Sequence, residues 1–428
     1  MIPHLCALLL ALPPALAQES GEAQTLLLGA RVLAPDAGGW LEGQVIVLRD
    51  GRIEAIVPAE RRDRWPDATV LALDGLFVVP GLVDLHTHLL LHPYDETSWN
   101  DQVLKESLEL RTVRAVVAAR ATLAAGFTTI RELGTEGAGF ADVALRDAIA
   151  AGIVEGPRIL AATRAIVASG CYGPSGFDPR WKVPKGAQEA DGVDGVRVAV
   201  REQIAAGADW IKVYADYRRR PGDASTPTFS QEELAAIVHE ATSAGLPVAA
   251  HASTDEAIRR AVAAGVRTIE HGTSASRASL ELMRDAGVTL CPTLGAVEAV
   301  SRYAGWRPGG AEPESLRAAR ATFVLALEVG VDVACGSDAG VFAHGDNAIE
   351  PELMVAWGMS PADALRSATS GAARVLGREA DLGRIAPGFV ADLVVLRGDP
   401  LAAPSELREP VLVLRDGRVV VDRSAARR

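Results

Sequence analysis

Apolar and polar positions alternate with different periods in different parts of the chain. From Gln24 to Val79, short apolar runs are separated by turn residues. Leu26-Leu27-Leu28 leads into Gly29, and Gly43-Gln44-Val45-Ile46-Val47-Leu48 is followed by Arg49-Asp50-Gly51-Arg52. Asp-Gly between two such runs predicts a hairpin. The far end repeats the pattern. Ala391-Asp392-Leu393-Val394-Val395-Leu396 reads as a strand, and Val411 to Val421 as a hairpin turning at Asp416-Gly417. Leu48-Arg49-Asp50-Gly51-Arg52 and Leu414-Arg415-Asp416-Gly417-Arg418 are nearly identical. These patterns predict two halves of one small β domain, brought together in space.

Between the two ends, apolar runs of strand length alternate with longer stretches rich in Ala, Leu, Glu and Arg. The predicted strands are Val78 to Leu85, Thr128 to Glu132, Arg158 to Ala162, Trp210 to Tyr214, Pro247 to Ala250, Thr268 to Glu270, Thr289 to Pro292 and Asp332 to Gly336. Predicted helices include Leu104 to Ala125, Val196 to Ala206, Gln231 to Ala244 and Ser253 to Ala264, most closed by a glycine such as Gly126, Gly207, Gly245 or Gly265. Eight such units in a row predict an α/β fold, a (β/α)8 TIM barrel with a small β-sandwich built from both chain ends. The expected division is a signal peptide at 1–17, sandwich halves at 18–79 and 376–428, and the barrel at 80–375.

In such a barrel the chemistry stands at the C-terminal ends of the strands. The first strand ends in His86-Thr87-His88. Residues two apart on a strand face the same way, so both imidazoles can reach one metal ion, or serve as a hydrogen-bonded structural pair. The fourth strand carries Lys212 among apolar neighbours, the fifth ends in His251, the sixth in Glu270-His271 and the eighth in Ser337-Asp338. Four of the eight histidines thus fall on predicted strand ends. Imidazole and carboxylate suit Zn²⁺ and related ions. Lys212 is either an ion-paired lysine or, desolvated and neutral, a nucleophile that has taken up CO₂ as a carbamate.

Composition narrows the function. A formal net charge of -12 argues against nucleic acid as a partner, because phosphate binding needs clustered Lys and Arg. Arg218-Arg219-Arg220 is a local exception. Met1 to Leu12 is apolar, and Ala15-Leu16-Ala17 follows it. That pattern predicts a secretory signal cleaved after Ala17, and hence an exported, periplasmic or secreted protein. The stretch is too short to span a bilayer, and no membrane-spanning segment is expected. Cys171, Cys291 and Cys335 form neither a disulfide framework nor a thiolate zinc site.

Taken together, the chain resembles the amidohydrolase superfamily, over essentially everything beyond residue 17. The matching stretches are Pro80-Gly81-Leu82-Val83-Asp84-Leu85-His86-Thr87-His88, the Lys212 strand, Ala249-Ala250-His251-Ala252, Glu270-His271-Gly272, Gly336-Ser337-Asp338-Ala339-Gly340 and Ala391-Asp392-Leu393-Val394-Val395. Within it the chain is similar to the prolidase-like branch, which includes ochratoxin-hydrolysing amidases. Ala206 to Tyr214 and the linker from Gly170 to Asp194 point that way.

The resemblance implies two Zn²⁺ ions, or similar divalent metals. His86, His88 and Asp338 would hold one, His251 and His271 the other, with carboxylated Lys212 bridging both. A bridging hydroxide would attack, and Asp338 would act as general base and then general acid. The implied reaction is cleavage of an amide or peptide bond to a C-terminal amino acid in a small-molecule substrate: an N-acyl amino acid, a dipeptide or ochratoxin A. The alternatives are an Xaa-Pro dipeptidase, or a cyclic amide or lactone hydrolase or deaminase on the same scaffold. Lys212 argues against a deaminase, and the complete ligand set against a non-catalytic relative. The resemblance also implies a homo-oligomer.

For substrate contacts, Tyr214 lies two residues beyond Lys212 and shares its face. Its hydroxyl can serve an oxyanion or a substrate carboxylate, or its ring can simply pack at the rim. His344, in the loop after the eighth strand, and Arg218, after the fourth, are further candidates, Arg218 for a free carboxylate. The loop Ser169 to Phe177 lacks the histidine usual in dipeptidases of the branch. With its Tyr and Phe, and Trp181 beyond, it suits a larger aromatic group.

Overall fold

The computed structural model describes residues 24–35, 38–178, 180–220 and 222–424. The expected signal segment, 1–17, lies outside the described residues. The central stretch is α/β, with parallel strands alternating with helices. Leu82–Thr87, Phe127–Glu132 and Arg158–Ala161 form one parallel sheet. A second parallel sheet runs in the order Gln188–Glu189, Ile166–Val167, Ile211–Tyr214, Val248–Ala252, Thr268–His271 and Thr289–Cys291. Asp209 and Trp210 donate backbone N–H groups to the Ala161 carbonyl, at 2.7 and 3.2 Å, linking the two sheets on one side.

On the other side the predicted eighth strand, Asp332 to Gly336, does not form a regular ladder. Isolated parallel bridges stand in its place, Leu290 with Val333 and Thr87 with Ala339. Leu85 N–H also reaches the Cys335 carbonyl at 2.9 Å. Just beyond this segment, Asp338 adopts a left-handed φ of 61°.

The predicted first strand is also broken. Phe77–Pro80 pairs antiparallel with Leu393–Leu396 and parallel with Arg31–Leu33, inside a sheet that mixes both chain ends. The central sheet begins only at Leu82. Gly81 makes the turn between them, where an added Cβ would collide with Thr128 Oγ1 and crowd the Asp392 Cβ at 2.8 Å. A second terminal sheet contains Thr25–Leu28, Gln44–Arg49, Arg52–Pro58 and Thr69–Ala72. The two terminal sheets share one apolar cluster, with Leu27, Ile46 and Ile53 from one and Val78, Leu393 and Leu414 from the other. Arg158 ties this region to the central sheet through Asp392 at 2.9 Å and Asp416 at 2.8 Å.

Helices follow from their caps and apolar faces. Ser230 and Glu233 form a reciprocal capping box at the start of Gln231–Ser243. Gly265, Gly287 and Gly330 close their helices in the left-handed conformation. The helix expected from Leu104 to Ala125 is two helices, Trp99–Lys105 and Leu108–Ala124, because Ser107 caps the second by accepting from Leu110 N–H. Among the described residues no helix is long and apolar enough to cross a membrane.

Candidate metal centre

His86 and His88 end the Leu82–Thr87 strand and are buried at 1% and 4% exposure. Their Nε2 atoms lie 3.7 and 3.3 Å from Asp338 Oδ1. His86, His88 and Asp338 each present a ligand atom within 4.8 Å of the others, the spacing of a shared ion. The opposite ring nitrogens are occupied. His86 Nδ1–H donates to Glu270 Oε2 and His88 Nδ1–H to the Gly134 carbonyl, each at 2.8 Å. Such bonds fix the tautomer and leave Nε2 with its lone pair free.

His271 and His251 stand beside this trio. The rings of His86 and His271 are 5.1 Å apart, and those of His271 and His251 4.5 Å. His271 has a left-handed φ of 71°. That twist breaks the alternation of the strand, so the consecutive residues Glu270 and His271 both serve the centre. Thr293 Oγ1 lies 2.7 Å from His271 Nδ1, and Asp216 Oδ1 lies 3.6 Å from His251 Nε2. Burial pushes His86, His251 and His271 well below the usual imidazole pKa and His88 down to about 4, so all four rings are neutral near pH 7.

Lys212 is 1% exposed, and its Nζ has no hydrogen-bond partner. Burial lowers its pKa, against the pull of the Glu270 and Asp338 carboxylates. A buried amine without a partner costs free energy unless something absent from the chain satisfies it. The trio of His86, His88 and Asp338 comprises three of the six residues expected to bind metal. The other three, Lys212, His251 and His271, adjoin it.

Several supporting residues were not singled out from the sequence. Arg131 is fully buried, pairs with Glu270 Oε1 at 2.9 Å and lies over the Trp210 ring at 4.3 Å. Asp84 accepts from the backbone N–H groups of His86 and Ser337, at 3.0 and 2.9 Å, from Asn347 Nδ2 at 2.8 Å and from the Ser337 hydroxyl. Asp84 therefore pins the segment that presents Asp338 against the strand that presents His86 and His88. Gly340 (φ 117°) comes so close to the His88 carbonyl that a Cβ would collide with it.

The candidate substrate residues are placed differently from one another. Tyr214 is buried, and its ring stacks on His251 with centroids 4.6 Å apart and 15° between planes. Arg218 is exposed, with its guanidinium 4.9 Å from the Tyr217 ring centre. It lines a cleft of about 300 Å³ together with Tyr172, Tyr217, Arg219 and Arg220. His344 is not among the residues that line this cleft. Its Nε2–H donates to the Leu91 carbonyl at 3.1 Å, and Nδ1 is buried without a partner. Of the aromatic loop, Tyr172 faces the cleft, whereas Trp181 is 67% exposed.

Comparison with known proteins agrees with this geometry. The sequence profile of the Amidohydrolase family matches residues 77–420. Ochratoxinase from Aspergillus niger is 29% identical over 438 residues, covering 94% of this chain and 87% of that one. A solved Xaa-Pro dipeptidase with bound methionine in its active site superposes with a TM-score of 0.81 at 31% identity, covering 93% of this chain and 99% of the other. A prolidase complexed with N-methylphosphonate-L-proline gives 0.82 at 32% identity, covering 94% and 100%. These likenesses indicate a TIM-barrel-like fold.

Proposed function

This chain belongs to the amidohydrolase family, and from that premise we propose that it is a zinc-dependent hydrolase that cleaves the amide or peptide bond to a C-terminal amino acid. The parallel sheets are read as one (β/α)8 barrel, and the terminal sheets as a β-sandwich made by both chain ends. The observation that carries the proposal is the unpartnered, buried Nζ of Lys212 beside four neutral imidazoles and a carboxylate. That donor set fits two divalent ions. His86, His88 and Asp338 would hold one and His251 and His271 the other, with Lys212 as a carbamate between them. Bound there, the metals would acidify water and polarise the amide carbonyl.

The chain's own groups account for the remaining steps. Water adds to the carbonyl carbon, a C–O bond forms and the C–N bond breaks. Asp338 takes the proton released from the water and gives it to the leaving amine. Tyr214 packs on His251 and fixes its ring plane. The cleft beside Tyr217 offers the Arg218 guanidinium to the carboxylate of the C-terminal residue. Export behind the N-terminal segment is part of this reading.

The test is a hydrolysis screen comparing N-acyl amino acids, Xaa-Pro dipeptides and ochratoxin A, with metal content measured in parallel. Turnover of at least one class, lost by orders of magnitude in His251→Ala, is expected. A metal-loaded protein inert towards all three would overturn the proposal.

A further inference from the structure

Glu136 is 2% exposed and has a left-handed φ of 50°. Few non-glycine residues hold that conformation unless their surroundings impose it. Here Arg111 does so. Its buried guanidinium donates to the carbonyls of Glu136 at 2.8 Å, Thr135 at 3.2 Å and Leu90 at 2.9 Å. The Glu136 carboxylate is thereby aimed two ways. Oε2 accepts from Trp99 Nε1 at 2.9 Å and from the Tyr172 hydroxyl. Oε1 has no hydrogen-bond partner and lies 4.0 Å from His88 Nδ1.

Tyr172 sits at the junction of a ring stack. Its centroid is 4.9 Å from Trp99, 4.6 Å from Tyr214 and 4.9 Å from Tyr217. Tyr214 in turn stacks on His251. Ring contacts therefore run without a gap from a metal-site imidazole to the wall of the cleft that Tyr172 shares with Arg218, Arg219 and Arg220. Tyr172 is 9% exposed, with its hydroxyl bonded to Glu136 and its ring packed by Trp99, Tyr214 and Tyr217, so the edge of the ring that lines the cleft is the part left for substrate. In an amino acid the α-carboxylate and the side chain leave the same Cα, so arginines and aromatic rings lining one cleft match its two substituents.

We propose that Glu136 is a positioning residue that holds Tyr172 and Trp99 in the cleft wall, and that Tyr172 selects substrates whose C-terminal residue has a flat aromatic side chain. The inference rests on the hydrolase reading above. Its test compares N-acetylphenylalanine with N-acetylalanine on the metal-loaded protein. The wild type should favour the phenylalanine amide. Tyr172→Ala should lower that preference about tenfold through KM, the scale of one lost aromatic contact, with bound metal unchanged.

Tyr172→Phe keeps the ring but not the bond to Glu136, and should lose part of the preference. Glu136→Gln, which keeps an acceptor oxygen, should retain more of it than Glu136→Ala. Calorimetric binding of L-phenylalanine, with and without metal, should weaken in Tyr172→Ala by a similar factor. No turnover of either amide by the wild type overturns this inference, and the hydrolase reading falls with it only if Xaa-Pro dipeptides and ochratoxin A are also left uncleaved. Turnover without aromatic preference, or a preference that survives Tyr172→Ala, overturns the inference alone.

Discussion

His86 Nδ1 and Glu270 Oε2 lie 2.8 Å apart, and both residues are closed to solvent. The other oxygen of the same carboxylate pairs with Arg131. Glu270 is thus charged on one side to satisfy a guanidinium and on the other to orient an imidazole. Glu270→Gln keeps an acceptor but loses the charge. Metal affinity should fall roughly 10–100-fold, the usual effect of losing an outer partner of a ligating histidine. Titrating activity against added zinc checks this, and an unchanged metal dependence would contradict it. Glu270→Ala should also destabilise the fold by about 3–5 kcal/mol, because Arg131 is left buried and unpaired.

Lys212→Ala removes the buried, unpartnered amine beside the four imidazoles. Activity should fall by roughly three orders of magnitude, with one of the two proposed metals lost, and return in part when acetate or propionate is added to stand in for the proposed carbamate. Steady-state rates with and without the added carboxylate decide the matter. A variant fully active without such addition would show that Lys212 is an ordinary lysine.

Asp84 never contacts the proposed ions, yet four donors converge on it. Asp84→Ala leaves them buried without a partner, at about 1–3 kcal/mol for each one that finds no other acceptor. Chemical denaturation should show a loss of at least about 3 kcal/mol. Turnover of the remaining folded protein should also drop, because the Ser337–Asp338 segment loses its anchor. A variant as stable as the wild type would mean the network relaxes freely.

Glu350 is buried, accepts from Gly295 N–H at 2.8 Å and has one oxygen without a partner. Burial raises its pKa from 4.5 to about 8. A carboxyl with a raised folded-state pKa is protonated in the fold and ionised in the unfolded chain between those values. Its stabilising contribution is therefore complete below about pH 4.5 and lost as pH rises towards 8. Glu350→Gln mimics the neutral form, so the melting temperature of the variant should fall less than that of the wild type between pH 5 and pH 8.5. Parallel slopes in a thermal series would refute this role.

Much of this was legible in the chain because strand alternation is a strict rule. His86 and His88, two apart, did come to one face, as did Lys212 and Tyr214. The strands flanking the two Arg-Asp-Gly-Arg turns lie in different terminal sheets, which meet through one apolar cluster. The rest depended on departures from regular backbone. A left-handed residue at His271 put Glu270 and His271 to use together, which a period of two does not predict. The predicted eighth strand formed isolated bridges in place of a full ladder. Gly81 ended one sheet and began another inside a single apolar run. Arg131, Arg111 and Glu136 gave no signal, since an isolated charge in a sequence does not reveal that it will be buried and paired across distant strands.

The pairing of Phe77–Pro80 with Leu393–Leu396 has a consequence for biogenesis. The strand that leads into His86 acquires one of its neighbours from a segment made more than three hundred residues later. A nascent chain cannot complete that sheet until Leu393–Leu396 has been made, so the histidine pair gains this support only after the whole central stretch has been synthesised. A product truncated before Leu393 would therefore carry the histidine pair without the brace behind it.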